Sequence, residues 1–265
     1  MRVAVKAEDG GVTPWMPPGS DASDARPPPI GRRVLRLALL DALSVIAPTQ
    51  CSGCGVADRA LCSSCRAALR VDVQRVEVPA LGGHPAPPLA AFCALRYDGV
   101  ARRVLLAIKE TGRTDAAPAL AEALTVALTA ALAAALPAGP ATGPRAAKAT
   151  VEIATIPSTR AAFRSRGYHP TKLILSHAGL RASCPLRATR QTADQASLGL
   201  AGRAANRHGS LIATTALHAR SFILVDDIVT TGATMREAQR AIQAAGGTVL
   251  GAAAIANTVR LRPRR

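Results

Sequence analysis

Phe222-Ile223-Leu224-Val225-Asp226-Asp227-Ile228-Val229-Thr230-Thr231-Gly232-Ala233-Thr234 is the stretch that decides the fold. Its first four residues form a continuous apolar run, the mark of a strand buried on both faces. The run passes straight into two acids and a loop of small residues, and a helix-forming segment follows from Met235. That order places Asp226 and Asp227 at the carboxyl end of a central strand, where open α/β sheets bind ligands. Gly232 allows close backbone approach. The loop N–H groups of 230–234, including Ala233, the hydroxyls of Thr230, Thr231 and Thr234, and the N-terminus of the next helix suit a phosphate dianion. Two carboxylates beside such a cradle repel the phosphate unless they face something else. A ribose diol is the natural candidate, because carboxylates accept hydrogen bonds from vicinal hydroxyls. Neighbouring strand residues point to opposite faces, so one Asp should dominate unless the chain has begun to turn. The bland alternative is an ordinary strand-to-helix turn with a capping Thr.

Outward from this stretch the pattern alternates. It predicts strands over 90–97, 150–156, 184–189, 221–227 and 247–256, with helices over 99–110, 117–136, 168–181, 196–206 and 233–245. Strands alternating with helices predict an α/β domain with a mainly parallel sheet flanked by helices. Residues 1–31, rich in Pro, Gly and Ser, read as a disordered leader. Residues 32–88 read as a helix near 32–46, a cysteine module and a linker of poor periodicity, and 89–265 as the α/β domain.

Cys51, Cys54, Cys62 and Cys65 form C-x2-C-x7-C-x2-C, with Gly53 and Gly55 beside the first pair. Each C-x2-C can curl into a knuckle that turns two sulfurs inward, and four thiolates complete a closed tetrahedral shell suited to a structural Zn²⁺. Such an ion supplies folding energy to a segment too small for its own core. Two disulfides, an iron–sulfur cluster or a redox C-x2-C pair are the alternatives, and the missing βαβ context around Cys51 argues against the last. Cys93 and Cys184 read as small core residues of apolar strands.

A second strand, 151–156, ends in Pro157-Ser158 and is followed by Arg160, Arg164, Arg166, Gly167 and Tyr168. A basic, glycine-containing loop after a parallel strand is suited to a leaving pyrophosphate with Mg²⁺, although such a loop standing alone is usually a solvated turn. Lys109 either brings charge to the same pyrophosphate or caps the dipole of its own helix.

The stretch 226–234 resembles the type I phosphoribosyltransferase signature, the binding site for 5-phosphoribosyl-1-pyrophosphate (PRPP). The resemblance implies that Asp226 and Asp227 hold the ribose hydroxyls, that 230–234 bind the 5′-phosphate with Ser158 nearby, and that Arg164, Arg166 and Lys109 serve the reaction. Purine-salvage relatives often place an Asp at the position of Thr230, which speaks against that activity here. Tyr97-Asp98-Gly99-Val100, Ile108-Lys109-Glu110-Thr111-Gly112, Arg164-Ser165-Arg166-Gly167-Tyr168 and Arg190-Gln191-Thr192-Ala193-Asp194-Gln195, behind the cysteine quartet, resemble the ComF family of competence-associated proteins over about residues 35–257. The implied fold is that of type I phosphoribosyltransferases. The implied activity is transfer from PRPP to an acceptor not identified by sequence, with a link to DNA uptake. A non-catalytic PRPP sensor or DNA-binding accessory protein is the alternative. The family's Arg-Gly-Phe-Asn-Gln is here Arg166-Gly167-Tyr168-His169-Pro170, where His169 replaces the polar Asn and Pro170 offers neither a Gln side chain nor an N–H.

Composition narrows the classes. With 265 residues, 49% hydrophobic and 19% charged, most of the chain should fold. Trp 1, Tyr 2 and Phe 3 are too few to line a multi-base stacking platform. A net charge of +16 suits a polyanionic partner such as single-stranded DNA or a phosphorylated metabolite. The excess is mostly Arg beside abundant Ala, Gly and Pro, so codon bias explains it as well as an electrostatic role does. No apolar h-region opens the chain, and the Ala-rich stretch 116–136 is interrupted by Pro118 and Glu122. The expectation is a cytoplasmic protein without a membrane span, compatible with DNA-uptake proteins or a second copy of itself as partners.

Overall fold

The computed structural model describes residues 3–4, 49–57, 59–80, 87–135, 150–189 and 209–258. Strands are β1 (Val3–Ala4), β2 (Gln74–Glu77), β3 (Ala90–Arg96), β4 (Thr150–Thr155), β5 (Leu186–Ala188), β6 (Leu211–Ala213), β7 (Ser221–Val229) and β8 (Thr248–Asn257). Helices are α1 (Ser63–Ala68), α2 (Gly99–Glu110), α3 (Ala117–Ala135), α4 (Arg160–Arg166), α5 (Pro170–His177) and α6 (Ala233–Ala244). One sheet runs in the order β1-β4-β7-β8-β3-β2, and β5 and β6 form a separate antiparallel pair. Within the sheet β4, β7, β8 and β3 are mutually parallel, while β1 and β2 run antiparallel at the edges. The chain is thus a mixed α/β protein with a mostly parallel central sheet, as the alternating pattern predicts.

The apolar run of β7 is buried on both faces for a visible reason. Ile223 and Val225 pack with α2, α3 and α5, whereas Phe222 and Leu224 pack with α6 and the β5–β6 pair. β8 divides in the same way, with Ala253 and Ile255 on the first face and Ala252 and Ala254 on the second. These small side chains let helices approach the sheet from either side. α3 is long and apolar enough to cross a membrane by length and composition, but half of it is buried inside the fold, where Leu120, Leu124 and Ala127 face the sheet.

The strand order sets a switch point. From β4 the chain passes through α5 on the first face and reaches Ser183, which pairs in parallel with Ala154 on the side of β4 away from β7. From β7 it passes through α6 on the second face to β8, on the opposite side. Right-handed connections that leave neighbouring strands in opposite directions use opposite faces, and the carboxyl ends of those strands then diverge. The switch point therefore lies between β4 and β7.

Four local expectations are corrected. The single helix expected over 168–181 is two short helices, because Gly167 ends α4 in the left-handed conformation (φ +77°) and Pro170 starts α5. The segment read as linker carries β2, whose Arg75 and Glu77 point outward from the sheet edge. Val3–Ala4, within the expected leader, pair with Val151 and Thr150. Cys93 is buried as expected, but Cys184 is exposed just ahead of β5. The helices expected over 32–46 and 196–206 lie outside the described residues.

Candidate functional site

The four sulfurs of Cys51, Cys54, Cys62 and Cys65 lie within 4.8 Å of one another. Around an ion bound at about 2.3 Å, a tetrahedron of thiolates has edges of about 3.8 Å, and Cys54 Sγ is 3.7 Å from Cys62 Sγ. None of the four is disulfide-bonded. Backbone N–H groups surround the sulfurs as in a ligand knuckle: Gly53 and Cys62 donate to Cys51 Sγ at 3.4 and 3.3 Å, and Cys65 donates to Cys62 Sγ at 3.4 Å. Burial raises the Cys51 thiol, yet the N–H donors outweigh it and bring it down to about 6. Burial and the neighbouring sulfurs push Cys65 up to about 12. The N–H donors thus favour the thiolate at Cys51, and the quartet is a group that could hold a metal ion.

Gly53 is fixed by this packing. A Cβ there would stand 2.6 Å from Cys65 Sγ and 3.0 Å from Val100 Cγ1. Its carbonyl accepts a hydrogen bond from Arg103 Nε, so the knuckle sits on the first half of α2. An exposed Arg66–Glu122 pair at 3.1 Å adds little.

The other end of α2 meets the carboxyl end of β7. Lys109 Nζ pairs with Asp227 Oδ1 at 2.9 Å, with the carboxylate side chain 12% exposed. Of the two expectations for Lys109, neither describes this contact, which is an ion pair to the second acid. Asp226 is half-buried and its Oδ1 accepts the N–H of Asp227 at 2.9 Å. The two acids consequently have different surroundings, as the strand alternation requires.

Beyond them Thr230 and Thr231 are exposed, Gly232 and Ala233 are buried, and Thr234 is half-buried. Gly232 stands at the N-cap of α6 with φ +73°, and Thr231 Oγ1 accepts the Ala233 N–H at 3.3 Å. The close approach that Gly232 permits is to protein: a Cβ would lie 2.2 Å from Val78 Cγ1. Arg236, in the first turn of α6, donates to the carbonyls of Val78, Pro79 and Pro87 and holds the β2–β3 connection against this loop.

On the β4 side the expected basic loop is a capped helix. Thr159 Oγ1 accepts the Ala162 N–H at 3.2 Å at the start of α4, and Gly167 N–H donates to the Phe163 carbonyl at 2.7 Å at its end. Arg164 is exposed and Arg166 half-buried, both in the last turn, where cations complement the helix dipole. Ser158 is half-buried and its Oγ is 3.2 Å from His169 Nδ1. The Tyr168 hydroxyl donates to the carbonyl of Ile108, next to Lys109, and burial raises its pKa.

The arrangement brings Lys109 to Asp227, and Ser158 to the same sheet end as the 226–234 stretch. The cysteine quartet lies apart from them, at the far end of α2. Arg103 and Arg236, which hold the two sites in shape, and Phe163, which stacks on His169, escaped the sequence reading. Glycine followed at short range by proline was the available signal for the α4–α5 break that places His169. The fold and these residues define an α/β protein with a mostly parallel sheet, an acid pair at the carboxyl end of its central strand and a four-thiol group packed on a flanking helix. Comparison with protein-family models and with curated proteins finds no match to the chain.

Proposed function

We propose that the chain is a PRPP-binding, phosphoribosyltransferase-like protein of the ComF family, linked to DNA uptake, that carries a structural zinc ion. The observation that carries the reading is the carboxyl end of β7, where two acids run into a left-handed glycine and the N-terminus of α6. It lies at the switch point, where a sugar phosphate has both an acidic side for its diol and an N–H-rich side for its phosphate. Mg²⁺ would enter with the pyrophosphate of PRPP rather than through a cage of protein oxygens. Zinc is the ion that best suits four thiolates in a closed shell, and such a shell leaves no position for chemistry.

Calorimetry with PRPP and Mg²⁺ tests the reading. Asp226→Asn, Asp227→Asn and Thr231→Val should each weaken binding, because an amide mixes donor and acceptor where a diol wants acceptors and Val removes a hydroxyl. Unchanged affinity across all three variants would sink the site.

One observation favours a second reading, a non-catalytic PRPP sensor or DNA-contacting protein: Arg164 and Arg166 stand on a capped helix rather than a flexible loop. If the two arginines serve pyrophosphate, Arg164→Ala with Arg166→Ala loses the preference for PRPP over ribose 5-phosphate. If they contact DNA, the variant keeps that preference and loses salt-sensitive binding of a short single strand.

A further inference from the structure

His169 is held beside the segment that follows the carboxyl end of β4 by two contacts. Nδ1 is 3.2 Å from Ser158 Oγ, and the imidazole stacks on the Phe163 ring with centroids 4.6 Å apart and planes at 28°. It is the N-cap residue of α5, yet its side chain makes no capping bond. The ring is therefore fixed by the strand-end loop and by α4, and not by the helix it begins. A serine hydroxyl can accept the Nδ1–H, and in that tautomer Nε2 carries the lone pair. Among the described residues no hydrogen-bond partner meets Nε2. The charged groups that face the ring are Lys172 on α5 and Arg166 on α4, and with burial, the largest effect, they lower its pKa. Burial and these cations thus favour the neutral imidazole. Asp226 accepts the Asp227 N–H and is given to the ribose diol in the reading above, Asp227 is occupied by Lys109, and Thr230 and Thr231 offer only hydroxyls, which are weak bases.

We propose that His169 Nε2 is the general base of the transfer reaction and that the acceptor is a nucleophile carrying an N–H or O–H. The inference rests on the PRPP reading above. The acceptor's lone pair forms a bond to the anomeric carbon, and the bond from that carbon to the pyrophosphate oxygen breaks with its electron pair going to the leaving oxygen. The acceptor's proton passes to Nε2, and the imidazolium, disfavoured by Lys172 and Arg166, returns it to solvent. With water as the acceptor the same step gives ribose 5-phosphate, pyrophosphate and a proton. Ser158 is a positioning residue that selects the tautomer.

Water serves as the probe acceptor. Pyrophosphate release from PRPP with Mg²⁺ is followed from pH 5 to 8 in the wild-type protein and in His169→Gln, with PRPP affinity measured by calorimetry in parallel. His169→Gln should bind PRPP within about twofold of wild type and release pyrophosphate at least about 100-fold more slowly. The acid limb of the wild-type profile, with its midpoint lowered from the ordinary imidazole range, should vanish in the variant. Nitrogen-15 NMR of the unmodified protein should show His169 protonated on Nδ1, a readout that needs no variant to fold. Equal release rates, an unchanged acid limb, a proton on Nε2, or wild-type binding without any release overturns the inference and leaves PRPP binding standing. Wild-type protein that binds no PRPP overturns the reading on which it rests.

Discussion

Gly53→Ala tests whether the four sulfurs are packed as a metal shell. The substitution introduces one methyl group at a residue that does not adopt the left-handed conformation, so its cost is steric. The new carbon would meet Cys65 Sγ at 2.6 Å, Cys65 Cβ at 2.9 Å and Val100 Cγ1 at 3.0 Å. Carbon atoms rest at about 3.5–4.0 Å, so a shift on the order of 0.5–1 Å is needed. Val100 belongs to α2, and the Gly53 carbonyl is tied to Arg103, which leaves Cys65 as the group that gives way. A metal shell tolerates about 0.2 Å in ligand position. Overpacking of this kind costs about 1–3 kcal/mol, which corresponds to affinity weakened about 5- to 140-fold if it falls on the bound form.

The assay is competition for Zn²⁺ against a chromophoric chelator, with the Co²⁺ absorption spectrum as a report on ligand number. Gly55→Ala is the comparison. Its φ of +81° costs the variant about 1–2 kcal/mol of backbone strain. Nothing lies within 4 Å of the added carbon, so the four-sulfur Co²⁺ spectrum should survive. Gly53→Ala should lose it. A Gly53→Ala protein with wild-type affinity and an unchanged spectrum refutes the argument.

Lys109→Met leaves the Asp227 carboxylate without its cation. Because the pair is only partly buried, the expected loss of stability is about 1–3 kcal/mol, below the range for fully buried pairs, as read by denaturant unfolding. The Cys93 thiol, pushed up to about 12 by burial, gives a pH signature. The folded state keeps a proton that the unfolded state releases near 9, so stability is full below pH 9 and falls above it. The slope is about 1.4 kcal/mol per pH unit until the folded thiol titrates. Cys93→Ala should make the alkaline fall shallower by that slope in equilibrium unfolding; an identical fall in both proteins contradicts the burial argument.

The parts of the fold legible in the sequence are those where one physical demand dominates. The 222–225 run has to be apolar throughout because both faces are covered, and α2 and α6 show a clear apolar stripe, so their limits match the expected ones to within a residue. β2 and β6 are too short for periodicity, and both owe their existence to tertiary partners. β2 pairs with β3, and β6 is held by Glu237 and Arg240, which bond the N–H and C=O of Leu211. The cysteine quartet was readable because ligand spacing is local. The Lys109–Asp227 pair joins residues 118 positions apart, and no local pattern could announce it.

α2 explains why a small thiol knuckle and a sheet-end acid pair belong to one molecule. Its first turns carry Val100 and Arg103, against which the knuckle packs, and its last turn carries Ile108 and Lys109, which take the Tyr168 hydroxyl and the Asp227 carboxylate. Arg103 and Lys109 are six residues apart, about 9 Å along the axis. The knuckle has too few apolar residues to form a core of its own, since its buried cluster consists of Cys51, Cys62 and Cys65 with Leu61 and Val100 at the margin. Its stability must come from its packing on α2, to which an ion held by the four sulfurs would add. The helix in turn is buried on the sheet through Val104, Leu105 and Ile108, between the two attachments. A rigid rod fixed at its middle holds both ends in register, so the acid pair at the sheet end and the thiol shell behind it depend on the same helix for their geometry.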